Sequence, residues 1–216
     1  MTATTYTVEK NFGWNNPVTA KVASVLRSFG MTIQRLKSNS ITHKLTVKLS
    51  TGDICYLTGA SGAGKSVLMR NLYEAVNDDS KIWLTDIPLP SDKTCVDCID
   101  GDYLTVLKTL SCAGLNDVFC VLNAPAVLSE GQRYRYRLAK AIASGAKYIF
   151  ADEFCSSLDR ITAAVIACNI RKYSNDGDVT FVLASAHDDL LSDLRPEVIV
   201  IKRLCGDSEV IYKKGA

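Results

Sequence analysis

Ile54-Cys55-Tyr56-Leu57-Thr58-Gly59-Ala60-Ser61-Gly62-Ala63-Gly64-Lys65-Ser66 decides the fold of this chain. Ile54 to Thr58 is a short apolar strand. It runs directly into a glycine-rich loop of the form GxxxxGK[ST], and a helical pattern follows from Lys65 to Val76. Glycines let successive backbone N–H groups curl around phosphate oxygens, and the N-terminus of the following helix adds positive potential. Gly59, Ala60, Ser61, Gly62, Ala63, Gly64, Lys65 and Ser66 are therefore expected to hold the phosphates of a nucleotide. Lys65 would reach the β- and γ-phosphates, and the Ser66 hydroxyl would bind Mg²⁺.

Downstream, Lys147-Tyr148-Ile149-Phe150-Ala151-Asp152-Glu153 is a second apolar strand, and it delivers two carboxylates at its C-terminal end, where α/β sheets place their ligand sites. Asp152 is suited to the Mg²⁺ shell. Glu153 is suited to polarise an attacking water as general base. Between the two strands lies Leu128-Ser129-Glu130-Gly131-Gln132. Ser129 and Gln132 alone would make a capping box. Gly131 weakens a first helical turn, and its presence there lets a phosphate approach the backbone closely. The following helix, expected from Ser129 to Ser144, carries Arg133, Arg135, Arg137 and Lys140, either as a solvated basic face or, less favoured, as a nucleic-acid contact. Beyond it come Ser157-Leu158-Asp159 and, after one more strand and helix, Ala186-His187-Asp188. His187 follows an apolar strand, in a place suited to sensing the γ-phosphate.

Elsewhere the pattern alternates strand and helix. Strands are expected at Leu45 to Leu49, Ile82 to Thr85, Phe181 to Ala184, Val198 to Ile201 and Val210 to Tyr212. Helices are expected at Val18 to Phe29, Tyr103 to Ala113, Asp159 to Tyr173 and Asp188 to Leu194. This is an α/β domain with a largely parallel sheet covered on both faces. The 216 residues form one domain, with an N-terminal extension over 1–44 and a small helical insertion over about 88–127. There are no internal repeats and no low-complexity linker.

With 25 basic against 23 acidic residues, composition alone gives no reason to expect a nucleic acid or an acidic membrane surface, although local basic clusters remain open. No apolar run is long enough to span a bilayer, and Met1 to Tyr6 lacks a secretory layout, so a cytoplasmic setting is expected. The cysteines (Cys55, Cys95, Cys98, Cys112, Cys120, Cys155, Cys168 and Cys205) are scattered, as buried free thiols are. Cys95-Val96-Asp97-Cys98 lacks the further ligands that a structural zinc would need.

Assembled in this order, the motifs resemble those of the ATP-binding cassette (ABC) ATPases over roughly Leu45 to Ile201. Within that superfamily, the stretch from Leu128 to Arg160 is similar to soluble ABC-type ATPases often joined to a GNAT-type acetyltransferase domain. The resemblance implies a P-loop fold of ABC type with a shortened helical insertion, ATP and Mg²⁺ as ligands, and a head-to-tail, ATP-dependent homodimer. In that dimer Gly59 to Ser66 of one copy bind the nucleotide, and Ser129, Gly131 and Gln132 of the other close on it. Glu153, His187 and Lys65 would be catalytic, and Asp159 would link the two sites across the interface. The implied function is a soluble ATPase that drives a conformational change in an unidentified protein partner. The alternatives are the nucleotide-binding subunit of a transporter with separate membrane subunits, or a non-catalytic ATP-dependent clamp or scaffold. Two family features have no obvious counterpart. The glutamine expected between the phosphate loop and the signature is missing, with an acidic residue such as Asp97 as a stand-in, and the adenine-stacking aromatic is left between Phe12 and Phe29.

Overall fold

A computed structural model describes residues 3–176, 178–204 and 207–213; Met1, Thr2 and Cys205 lie outside the described residues. The elements run β1 (Thr4–Phe12), α1 (Ala20–Ser28), α2 (Ile33–Ser38), β2 (Ile41–Leu49), β3 (Ile54–Thr58), α3 (Lys65–Ala75), β4 (Lys81–Trp83), α4 (Tyr103–Cys112) and α5 (Val118–Val121). They continue with α6 (Glu130–Ala143), β5 (Tyr148–Ala151), α7 (Arg160–Asp176), β6 (Thr180–Ala184), α8 (Leu191–Leu194), β7 (Val198–Lys202) and β8 (Ser208–Tyr212).

The main sheet has the order β4-β5-β6-β3-β7-β8. Neighbours from β4 to β7 are parallel, and β8 pairs antiparallel with β7 at the edge. β3 and β6 are buried along their whole length, which is why neither shows a polar alternation in sequence. Their alternate side chains serve two cores. Ile54, Tyr56, Phe181 and Leu183 face α6 and α7 through Leu138, Ile142, Ile166 and Ile170. Cys55, Leu57, Val182 and Ala184 face the other way, onto Leu68, Met69 and Leu72 of α3.

The second core also contains Val8, Leu45, Val47 and Leu49, so α3 lies between the main sheet and a separate two-stranded sheet. That small sheet changes the reading of the N-terminal extension. Residues 4–12 form a strand paired antiparallel with β2 from Thr4↔Leu49 to Phe12↔Ile41. Val8 is buried and Tyr6 packs against the same core, so the start of the chain belongs to the domain body. The excursion between the two strands holds α1, capped by Thr19, and a second helix, α2, capped by Thr32.

Three further boundaries shift. The strand expected over Ile82 to Thr85 stops at Trp83 and passes into a 3₁₀ turn over Leu84–Asp86. The last helix begins at Leu191 rather than Asp188, because Asp188 is held by Thr58 Oγ1. β8 begins at Ser208. The 88–127 segment is a set of turns around α4 and α5, packed on α6.

Candidate functional site

The phosphate loop is shaped by what surrounds it. Gly59, at φ 137°, lies against the Lys202 carbonyl of β7, and a Cβ there would overlap that backbone. Gly64, at φ 95°, lies against the His43 imidazole from β2. Both positions demand glycine for conformation and for space. Gly64 is also the N-cap of α3 and offers no side-chain cap. The first N–H groups of that helix therefore have no side-chain acceptor, as an anion site at a helix N-terminus requires. Lys65 Nζ folds back and donates to the Gly59 and Ala60 carbonyls at 2.7 and 3.0 Å.

The loop opens on a cavity of about 350 Å³ lined by Ser61, Gly62, Gly64, Lys65, Ser66, Asp152, Glu153, Ser185 and Ala186, among others. The structure thus brings together the phosphate loop, Ser66 and the two carboxylates expected from sequence. Their chemistry fits Mg²⁺ and a nucleotide: a hydroxyl and a carboxylate for a hard cation, with uncapped amides and a lysine for phosphate.

Asp152 and Glu153 arrive by way of β5. Glu153 adopts φ 50° and Cys155 φ 56°, left-handed conformations rare for residues with a Cβ. Several bonds hold this turn: the Phe154 N–H donates to the Ala184 carbonyl at 2.7 Å, the Ser156 N–H to the Glu153 carbonyl at 3.0 Å, and the Cys155 N–H to the Tyr134 hydroxyl at 3.2 Å. Tyr134 belongs to α6, so the signature helix supports the turn that carries Glu153. Burial raises its hydroxyl pKa well above the ordinary tyrosine range and pushes the Cys155 thiol up to about 12, so both groups stay protonated.

His187 is exposed and follows Ser185 and Ala186, which line the cavity, although it is not itself a lining residue. Its backbone is fixed from both sides. The Tyr56 hydroxyl donates to its carbonyl at 2.6 Å, and its own N–H donates to Ser185 Oγ at 3.2 Å.

Ser129, Gly131, Gln132 and Asp159 are not among the residues lining this cavity. Ser129 and Gln132 form the full capping box, with the Ser129 N–H donating to Gln132 Oε1 at 2.9 Å. Gln132 Nε2 also reaches Cys120 Sγ at 2.8 Å. Gly131 has a close contact that the sequence did not reveal. A Cβ there would stand 3.0 Å from Leu158 Cδ2 and 3.4 Å from the Ser157 carbonyl. The exposed Asp159 caps α7 through the Thr162 N–H at 2.9 Å, and hydrogen bonds from Thr162 lower its carboxyl pKa.

The cations of α6 engage backbone carbonyls of their own chain. Arg133 donates to the Ala126 carbonyl, Arg135 to those of Gly131 and Gly114, Arg137 to that of Ile87 and Lys140 to that of Cys98. All four are half-buried. Three of these acceptors, Ala126, Gly114 and Cys98, belong to the 88–127 segment, which has little regular structure to satisfy them itself.

Asp97 is not in the phosphate cavity. Its carboxylate accepts from Thr94 Oγ1 at 2.5 Å, and it lines a different cavity with Lys93, Tyr136 and Lys140. Another acidic residue, Asp86, follows β4, the neighbour of β5. It lies three residues past Trp83, which pairs with Phe150 of β5, and it bonds Arg70 of α3 at 3.6 Å. Of the two aromatic candidates, Phe12 meets His43 edge-on at 5.8 Å, and His43 in turn abuts Gly64. Phe29 ends α1 and is 78% exposed.

The described cysteines are free thiols, several of them buried, and the described residues contain no cluster able to hold a metal through His, Cys, Asp or Glu alone. No described helix is long and apolar enough to cross a membrane.

No protein-family model matches the chain. Among curated proteins it is similar to the methionine import ATP-binding protein MetN of Streptococcus agalactiae serotype Ia, at 25% identity over 209 residues. That match covers 78% of this chain and 58% of the relative, so the chain spans less than two thirds of that protein. It is also similar to the cell division ATP-binding protein FtsE of Streptococcus pneumoniae serotype 2, at 26% identity, covering 73% of this chain and 83% of the relative. Among solved structures it resembles the dimeric structure of MJ0796, a bacterial ABC transporter cassette, with a TM-score of 0.65 at 19% identity, covering 83% of this chain and 94% of that one. The same cassette in a post-hydrolysis state bound to ADP and phosphate superposes with a TM-score of 0.64 at 20% identity. The fold is therefore the P-loop fold found in ABC cassettes. The names of the two curated relatives refer to methionine import and to cell division.

Proposed function

We propose that the chain hydrolyses ATP with Mg²⁺ in a site completed by a second copy of itself, and that closure of the pair drives a protein partner. The observation that supports this most is the division of the candidate residues. The phosphate loop, Asp152 and Glu153 share one cavity, while the signature residues Ser129 and Gly131 are not among its lining residues.

Within each site, the glycine loop and the N-terminus of α3 bind and orient the phosphates. Lys65 leaves the Gly59 and Ala60 carbonyls to meet the β- and γ-phosphates. Ser66 and Asp152 would hold Mg²⁺, which supplies neutralisation of phosphate charge as the terminal bond breaks. Glu153, set by the turn that Tyr134 supports, orients the attacking water and takes its proton. His187, which follows the cavity-lining Ser185 and Ala186, would contact the γ-phosphate. Phe12, backed by His43, is the better-placed surface for the adenine ring. From the other copy, the Ser129 hydroxyl and the backbone at Gly131 close over the nucleotide, and Asp159 lies across the interface.

The import and division relatives support a partner that resides in a membrane over the free-standing soluble machine expected from sequence. In this reading the membrane-spanning part belongs to the partner protein.

Mixing variants tests the shared site. Lys65→Ala and Ser129→Arg each abolish turnover alone. Mixed, they recover activity, because one site of the heterodimer has an intact loop facing an intact signature. A mixture as inactive as its components would overturn the shared site.

A further inference from the structure

We infer that residues 13–40, the excursion between β1 and β2, form a docking surface for an anionic lipid bilayer. The segment carries Lys21, Arg27, Arg35 and Lys37 and no Asp or Glu. All four cations are exposed, and none forms an ion pair among the described residues; Arg27 donates only to Ser24 Oγ, at 3.3 Å. The same helices present exposed apolar side chains. Val22, Val25, Leu26 and Phe29 fall at i, i+3, i+4 and i+7, one stripe of a helix. Of these only Leu26 is buried, while Val25 is 56% and Phe29 78% exposed. Val18 and Ile33 extend the exposed apolar surface, and α2 buries no residue at all.

The combination selects the partner. Short helices that mix exposed apolar side chains with cations, and lack acids, bind where lipid headgroups meet acyl chains. There the apolar side chains leave water and the cations meet lipid phosphates and carboxylates. A nucleic acid would use the cations but leave Val25, Phe29, Val18 and Ile33 in water. A second copy docking through this face would set four cations against four. The segment leaves the body at Phe12 and returns at Ile41, a pair in direct register, and Phe12 touches the His43 that abuts Gly64. The lipid-binding surface thus springs from the nucleotide end of the small sheet.

The test is co-sedimentation of the full chain with protein-free vesicles, which excludes recruitment by a membrane protein and so separates this inference from the partner proposed above. The protein is expected to sediment with phosphatidylcholine vesicles containing about one third phosphatidylserine, to ignore pure phosphatidylcholine, and to dissociate as salt rises. Lys21→Glu with Arg27→Glu, and separately Val18→Ser with Val25→Ser, should each lower vesicle affinity by about tenfold or more. These four side chains are exposed and outside the nucleotide site, so ATP turnover and thermal unfolding should match the wild type. No binding to the anionic vesicles would overturn the inference, as would equal binding by either double variant. Binding to duplex DNA instead, lost with the charge pair but kept with the apolar pair, would overturn it in favour of a nucleic acid. Binding only to an acidic polypeptide would overturn it in favour of a protein.

Discussion

Replacing Tyr134 with Phe removes one oxygen atom and tests how the signature helix governs the catalytic turn. The Cys155 N–H then loses its acceptor, which stands at 3.2 Å. An unpartnered buried N–H costs about 1–3 kcal/mol. The same bond restrains a turn in which Glu153 and Cys155 hold φ 50° and 56°, each disfavoured by about 1–2 kcal/mol in an L-residue. Part of the lost bond is recovered as that strain relaxes, leaving a net destabilisation of about 1–2 kcal/mol. In a chain of this size that lowers the melting temperature by roughly 2–4 °C for each kcal/mol. The relaxed turn moves Glu153, and a misplacement on the order of 1 Å costs turnover about a hundredfold. The phosphate loop rests on Lys202 and His43, not on Tyr134, so KM for ATP should stay near wild type. Phosphate release measured across ATP concentrations, alongside thermal unfolding, reads all three quantities. A variant that melts earlier but keeps its kcat would make Tyr134 a packing residue only. One that raises KM and spares kcat would refute the proposed route from α6 to Glu153.

Three more outcomes follow from the same geometry. Gly64→Ala forces a Cβ onto the His43 ring at a left-handed φ, so nucleotide affinity in a fluorescent-ATP titration should fall about tenfold or more, with a stability loss of about 1–3 kcal/mol; unchanged affinity would contradict the assigned role of the loop. Arg135→Met strands the Gly114 carbonyl, bonded at 2.8 Å, and should cost about 1.5–3 kcal/mol in denaturant unfolding; a solvated arginine would cost almost nothing. Cys55, Cys95 and Cys155 are pushed up to about 12 by burial, so at pH 8 only about one in ten thousand of each is thiolate. Ellman's reagent should leave them unreacted in the folded protein and label them after unfolding, and prompt labelling of any of the three in the folded chain would contradict their enclosure.

What sequence conveyed well were features that are local and sign-posted. The strand before Gly59, the glycines that need left-handed φ, and the strand ending in Asp152 and Glu153 each carry their reason within a few residues. What it conveyed poorly depends on partners distant along the chain. β1 was hidden because its mate, β2, follows the α1–α2 excursion, and only Val8 of its side chains is buried. The arginines of α6 read as a surface because sequence does not say which carbonyls fold back onto them. The contact of Gly131 with Leu158 and Ser157 shows only in three dimensions. Asp97 had the right charge but lines a different cavity. Tyr134 had no motif to mark it, although an aromatic one turn into the helix after Ser129 could have been tested against the Glu153 turn.

The shared nucleotide site is tested most directly by the mass of Glu153→Gln in Mg²⁺ and ATP. Without the carboxylate that activates water, the closed pair should persist. Light scattering should then report twice the 23.5 kDa of the chain, with one ATP retained per copy, and adding Ser129→Arg to the same chain should return it to the monomer. A Glu153→Gln protein that stays monomeric with ATP bound and hydrolyses it like the wild type would contradict the account.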